Sequence, residues 1–247
     1  MKERLQKVIA AAHGVSRRAA EVLITEGKVR VNGRIAAIGE SADPERDKIE
    51  VEGRRLGNQP KKTYIALYKP RGYVTSMADE KGRRDVSELI KDIHSRLFPV
   101  GRLDMDSEGL LLMTNDGAWA QTIAHPSHEV EKTYLVTVTG DAKEAVRTMS
   151  KGMDIFDENG ELEFTARPAR AVVRNMYEDS ARIQVTITEG HNRQVRKMCA
   201  ACGLKVKRLV RISIGSVTVA GIKTGGWRLL KDEEVKALAS KPKKKKY

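Results

Sequence analysis

Apolar positions Leu5, Val8, Ile9 and Ala12 recur at i, i+3, i+4 and i+7, the stripe of a short amphipathic helix over residues 2–12 that Gly14 ends. Ser16 is placed to cap a second helix whose Ala19, Val22 and Leu23 face inward and which closes at Glu26 and Gly27. Residues 29–31, the Asn32–Gly33 pair and residues 49–51 then read as hairpin material, because Asn-Gly tolerates a positive φ. Residues 53–62 lose all apolar periodicity and read as a linker. Beyond it, short β-like runs at 64–68, 73–76, 109–114, 134–139, 171–174, 183–188 and 206–214 outnumber helical ones at 118–124, 142–151, 193–201 and 232–240. The βαβ rhythm of a doubly wound fold is missing, so the pattern predicts an α+β domain around a mainly antiparallel sheet. The expected organisation is a small module over 1–57, a larger domain over 58–240 and a basic tail over 241–247.

Charge changes this picture more than composition does. Lys and Arg number 46 against 33 Asp and Glu, a formal net charge of +13. Five of those charges are the lysines of the terminal KPKKKKY, yet the preceding residues keep a net excess of positive charge. The folded body is therefore expected to meet a polyanion, with the tail adding salt-sensitive attraction. The longest apolar runs, such as residues 8–12 and 109–113, fall far short of the roughly 20 residues that cross a bilayer, so no membrane partner is expected. Two cysteines make no disulfide framework and the first residues lack a secretory cleavage pattern, which points to a cytoplasmic protein. Neither a Walker loop nor G-x-G-x-x-G occurs, so no cofactor is expected.

Arg17 and Arg18 occupy the first turn of the second helix, where the macrodipole already is positive. A phosphate converging on them would answer that conflict; two solvated arginines are the plainer alternative. The stretch SRRAAEVLITEGKVRVNG, residues 16–33, resembles the S4 RNA-binding domain over about residues 1–57. By that resemblance Arg17, Arg18, Lys28, Arg30 and Asn32 are candidate RNA contacts.

The densest segment is PVGRLDMDSEGLLLMTNDG, residues 99–117, where Asp104, Asp106 and Glu108 lie between two apolar runs. Strands flanking a loop fix its carboxylates, a common setting for chemistry. Spacing alone leaves open a solvated loop pairing with Arg102, a metal site, or paired hydrolytic carboxylates. In ITEGHNRQVRKMCAACG, residues 187–203, Val195, Met198, Cys199 and Cys202 form one helical face that reads as core, and the C-x-x-C spacing has no second ligand pair to make a zinc site. The other face carries Arg193, Arg196 and Lys197, again against the dipole, so an acid or phosphate must approach. His125 and His128 are interrupted by Pro126 and carry no metal expectation.

GRLD followed after four residues by GLLLMTNDG is similar to the catalytic motif of the RsuA-type pseudouridine synthases, which carry an S4 domain ahead of the catalytic domain. The resemblance spans the chain to about residue 240. It implies that Asp104 is the catalytic residue, that Tyr134 of Lys132–Thr133–Tyr134 lines the pocket and stacks on the base, and that Arg196 of Gln194–Val195–Arg196 pairs with Asp104. Arg102, Lys132, Arg193 and Lys197 join the candidate RNA contacts, and Lys69–Gly72 is expected to shape the start of the sheet. The implied reaction, uridine to pseudouridine, needs neither metal nor redox cofactor. The implied partner is ribosomal RNA, 23S in preference to 16S, met by a monomer. A non-catalytic S4-containing assembly factor and a hydrolase using Asp104 with Asp106 are the competing classes.

Overall fold

A computed structural model describes residues 1–57, 60–79 and 81–240, so the tail at 241–247 lies outside the described residues. The chain divides into two compact units, Met1–Thr63 with Ile93–Leu97, and Tyr64–Asp92 with the chain from Phe98 onward.

In the first unit β1 (Glu3–Arg4) leads into α1 (Leu5–His13) and α2 (Arg17–Thr25). There follow β2 (Val29–Val31), β3 (Arg34–Ile35), β4 (Ser41–Ala42), β5 (Ile49–Val51) and β6 (Arg54–Arg55). Gly14 ends α1 in the left-handed conformation and the Ser16 hydroxyl caps α2 by accepting from the Ala19 N–H, as their positions imply. The inward face of α2 is corrected in part: Leu23 packs against the core as expected, but Ala20 and Ile24 are the buried residues, while Ala19 is exposed and Val22 is 54% exposed. One residue's rotation about a nine-residue helix moves the face by 100°, and Ala-rich sequence leaves that phase weakly marked. The linker expectation also fails at its start, because Glu52–Gly53 turn β5 into β6 in the order β3-β2-β5-β6.

The second unit is built on one nine-stranded sheet. Its elements are β7 (Tyr64–Lys69), β8 (Phe98–Pro99), β9 (Glu108–Thr114), α3 (Gly117–Ala124), β10 (Lys132–Thr139), α4 (Ala142–Met149), β11 (Met153–Phe156), β12 (Leu162–Ala166), β13 (Arg170–Met176), β14 (Ala181–Ile187), α5 (Gln194–Ala201), β15 (Lys205–Ile214), β16 (Val217–Thr218), β17 (Trp227–Leu229) and α6 (Asp232–Ala239). The order is β13-β14-β10-β15-β9-β7-β17, antiparallel except where β15 meets β9. All seven residues of β9 are buried. Each such leucine contributes roughly 1.5–3 kcal/mol, which explains why this central strand reads as a continuous apolar run rather than an alternating one.

Carboxylates set the helix starts: Asp116 accepts from the Ala118 and Trp119 N–H groups, and Asp141 from those of Lys143 and Glu144. Residues 73–76 make no strand, only a bridge from Val74 to Asp85. The separate β11–β12 hairpin was not expected.

Candidate active site

The mixed junction positions the site. At the parallel contact Arg211 of β15 lies opposite Gly109 of β9, and a Cβ on Gly109 would stand 2.3 Å from the Arg211 carbonyl oxygen. Only glycine permits that approach, and its φ of 110° adds a second reason. The seam brings Arg211, 4% exposed, beneath the loop that precedes β9. Its Nε donates to the Leu110 carbonyl at 2.7 Å and its Nη1 to the Arg102 carbonyl at 3.2 Å.

The loop itself is held from several sides. Gly101 takes φ 75° at the bend. The Thr75 hydroxyl donates to the Leu103 carbonyl at 2.6 Å while accepting from the Leu103 N–H at 3.2 Å. The Gly72 N–H donates to the Met105 carbonyl at 2.7 Å, and the Ser107 N–H to that of Asp104 at 3.1 Å. Asp104 therefore sits on backbone fixed before and after it.

Arginines from the start of α5 close on this loop. Arg193 caps α5 with φ 52° and binds Asp106 bidentately, at 2.9 and 2.8 Å, with Nη1 3.7 Å from Asp104 Oδ2. This hydrogen bonding, against some burial, holds the Asp106 carboxyl below its ordinary value. Arg196 donates from Nη2 to the Asp106 carbonyl at 2.9 Å and the Ser107 hydroxyl at 3.2 Å, with Nε 3.4 Å from Asp106 Oδ2. The expected Arg196–Asp104 pair is thus corrected: Arg193 approaches Asp104, and Arg196 grips the backbone beside it. Arg193 takes a left-handed φ at the N-cap, and its guanidinium reaches both carboxylates of the loop, whereas Arg196 reaches Asp106 and Ser107.

A cleft of about 680 Å³ opens here, lined among others by Arg102, Leu103, Asp104, Lys132, Tyr134 and Arg211. Tyr134 and Arg211 are cross-strand partners beside a bulge in β10–β15 pairing, so both project from one face of the sheet. Lys132 donates to the Val130 carbonyl at 3.1 Å, and burial pulls its pKa down. Two carboxylates line the cleft, Asp104 and Glu189. Glu189 accepts from the Arg167 N–H and the Gln194 amide, leaving Asp104 as the carboxylate less engaged by neighbours. Asp106 does not line the cleft, which disfavours a paired-carboxylate hydrolase.

Other expected residues have different settings. Arg17 and Arg18 are exposed and hold no ion pair among the described residues. Lys28 is paired with Glu26 at 2.8 Å and Glu52 at 3.6 Å, and Arg30 donates to the Gly33 carbonyl. Asn32 is exposed and closes its turn: its amide donates to Asp47 and accepts from the Lys48 N–H, both at 2.9 Å. Lys197 pairs with Glu163. Burial pushes the Cys199 thiol up to about 12, consistent with a packed neutral side chain.

Sequence reasoning missed Arg211 as a site residue and gave Lys69 only a shaping role. Lys69 is fully buried, donates to the Pro70 and Tyr73 carbonyls at 2.9 and 2.8 Å, and has its pKa lowered to about 8 by burial, with Asp104 the leading charge opposing that fall. The signal was a cation directly abutting an apolar stretch, Lys69 at the end of YIALYK and Arg211 after Leu209 and Val210.

A rigidly held acid in a cation-walled cleft, on a sheet preceded by a small basic module, defines an enzyme that works on a polyanion. The family model for RNA pseudouridylate synthase matches residues 63–201 and that for the S4 domain residues 3–41. Ribosomal large subunit pseudouridine synthase B of Bacillus subtilis is 42% identical over 96% of this chain and 95% of its own. The protein of that name from Vibrio cholerae is 36% identical over 96% of this chain and 74% of its own. A crystal structure of a pseudouridylate synthase superposes with a TM-score of 0.66 at 31% identity, covering 95% of this chain and 99% of that one. The chain belongs to the RNA pseudouridylate synthase family, and is an isomerase with an N-terminal S4 domain.

Proposed function

We propose that this protein converts one uridine of 23S ribosomal RNA to pseudouridine, with Asp104 as the catalytic carboxylate. The N1–C1′ bond breaks, the uracil turns within the cleft, C5 bonds to C1′, and the proton lost from C5 is balanced by one gained at N1. The carrying observation is the position of Asp104: it lines the cleft on fixed backbone, with the Arg193 guanidinium 3.7 Å from its Oδ2. Tyr134 walls the cleft and offers a ring for the base, and Arg193 aims the carboxylate while Arg196 anchors the loop.

A uridine must leave the RNA stack to enter, at a cost of a few kcal/mol that binding elsewhere offsets. Arg17 and Arg18 at the start of α2 are suited to that task through backbone phosphates. Arg102, Lys132 and Arg193 line the cleft as further cations, although Lys132 already has an internal partner, and Lys197 of α5 lies outside the lining, paired with Glu163. The 23S assignment is supported by the names of the Bacillus and Vibrio relatives, and with it a cytoplasmic site of action.

Asp104→Asn is expected to lower pseudouridine formation at least about a thousandfold while RNA affinity stays unchanged. Mapping pseudouridines in rRNA from cells with and without the protein should reveal one missing 23S site. A missing 16S site would overturn the substrate assignment, and an active Asp104→Asn variant the catalytic one.

A further inference from the structure

The cleft uses one face of the sheet. Lys132, Tyr134, Leu209 and Arg211 share that face through the pairs Tyr134↔Arg211 and Val136↔Leu209. The same register defines the reverse face over β13, β14, β10 and β15. One row there runs Val172, Gln184, Leu135, Val210, and the next runs Asn175, Arg182, Thr137, Arg208, followed by Thr139 with Lys205. Arg174, extruded by the β13–β14 bulge, joins this face because its Nε donates to the Gln184 side chain at 3.0 Å.

This reverse face is unbalanced in charge. Arg208 is neutralised by Glu108 at 2.7 Å, and Arg170 at its edge by Glu131 at 2.9 Å. Arg174 has only the neutral Gln184, Arg182 lies 5.8 Å over the Tyr177 ring, and Lys205 is exposed with no ion pair among the described residues. Sheets ordinarily place opposite charges on neighbouring strands, and a tract of uncompensated cations lowers stability through repulsion. The tract spans three strand spacings, roughly 14 Å. Thr137, Gln184 and Asn175 between the cations supply neutral hydrogen-bonding groups, and the exposed Tyr177 ring lies at its margin.

We propose that this reverse face binds backbone phosphates of the RNA substrate, at a second contact surface separate from the catalytic cleft. The occupant follows from charge: unpaired guanidinium and ammonium groups on a face bearing no unpaired acid among its described register positions fit a polyanion. The inference rests on the reading that the substrate is a large structured RNA, since a fragment confined to the cleft does not extend to the other side of the sheet.

The test is equilibrium binding of transcribed 23S rRNA, across a range of KCl concentrations, to wild type and to the triple variant Arg174→Gln, Arg182→Gln, Lys205→Gln. The expected slope of log affinity against log salt is shallower by about two to three, one counterion per lost phosphate contact. Affinity falls about tenfold or more at low salt, and turnover at saturating RNA is unchanged. A charge-retaining triple variant, Arg174→Lys, Arg182→Lys, Lys205→Arg, is expected to restore both slope and affinity, which separates charge from folding. Unchanged slope and affinity overturn the proposal and leave this face to a protein partner or to none. An equal loss on a short hairpin around the target uridine also overturns it. Wild type that binds rRNA but isomerises no uridine would refute the proposed reaction while leaving the slope readable.

Discussion

At the start of α2, Arg17 and Arg18 stand exposed with no ion pair among the described residues, whereas at the start of α5 Arg193 and Arg196 are bound to the loop carrying Asp104 and Asp106. Both pairs oppose the helix dipole, and in sequence they look alike. The difference is where the compensating anion resides. For α5 it is internal, delivered by a loop about ninety residues earlier; for α2 the described residues offer none, and the proposed function assigns that place to the substrate backbone. A basic first turn thus announces that an anion is required, without disclosing its source.

The sharpest way to break this comparison is Arg193→Gln. If its role is to aim Asp104, turnover falls about a hundredfold with little change in KM, and Arg193→Lys recovers only part because a single ammonium cannot replace the bidentate fork. A rise in KM alone, measured by steady-state kinetics on rRNA, would make α5 a second phosphate site like α2.

A smaller effect is expected at the other helix. The double variant Arg17→Gln, Arg18→Gln should raise KM severalfold, leave turnover at saturation unchanged, and flatten the salt dependence of binding by about one to two. Loss of turnover instead would erase the distinction.

The smallest effect concerns pH. The folded Asp106 carboxyl titrates below its ordinary value, so its ion pair stabilises the fold above that ordinary value and this contribution disappears as pH falls through the depressed folded one. The pair is partly exposed and contributes less than about 1 kcal/mol. Thermal unfolding against pH should therefore show a slightly weaker acid-side decline for Asp106→Asn, while Arg17→Gln and Arg18→Gln leave the profile unaltered.

Much of this was legible because period and punctuation agreed. Gly14 and Ser16 marked the helix boundaries of the first unit, and the all-apolar run after Glu108 marked the central strand. The Asn159–Gly160 pair carried a hairpin signal between β11 and β12, but their alternating acids and short length masked it. The choice between Arg193 and Arg196 turned on a left-handed φ at a non-glycine residue, which composition does not specify. Arg211 was hidden among the other cations of its strand, and only the pairing of β15 with β9 makes it a wall of the cleft; Lys69 was hidden because it closes an apolar strand where a cation reads as a boundary.

That pairing also has a temporal side. Gly109 and Arg211 are separated by about a hundred residues, and their contact is the seam along which the two halves of the sheet join. Long-range closure of this kind comes late in folding. A chain that has exposed its S4 module and even Asp104 still lacks β15, and with it the Arg211 wall of the cleft. The cleft is therefore walled on this side only by a strand made near the end of the second unit.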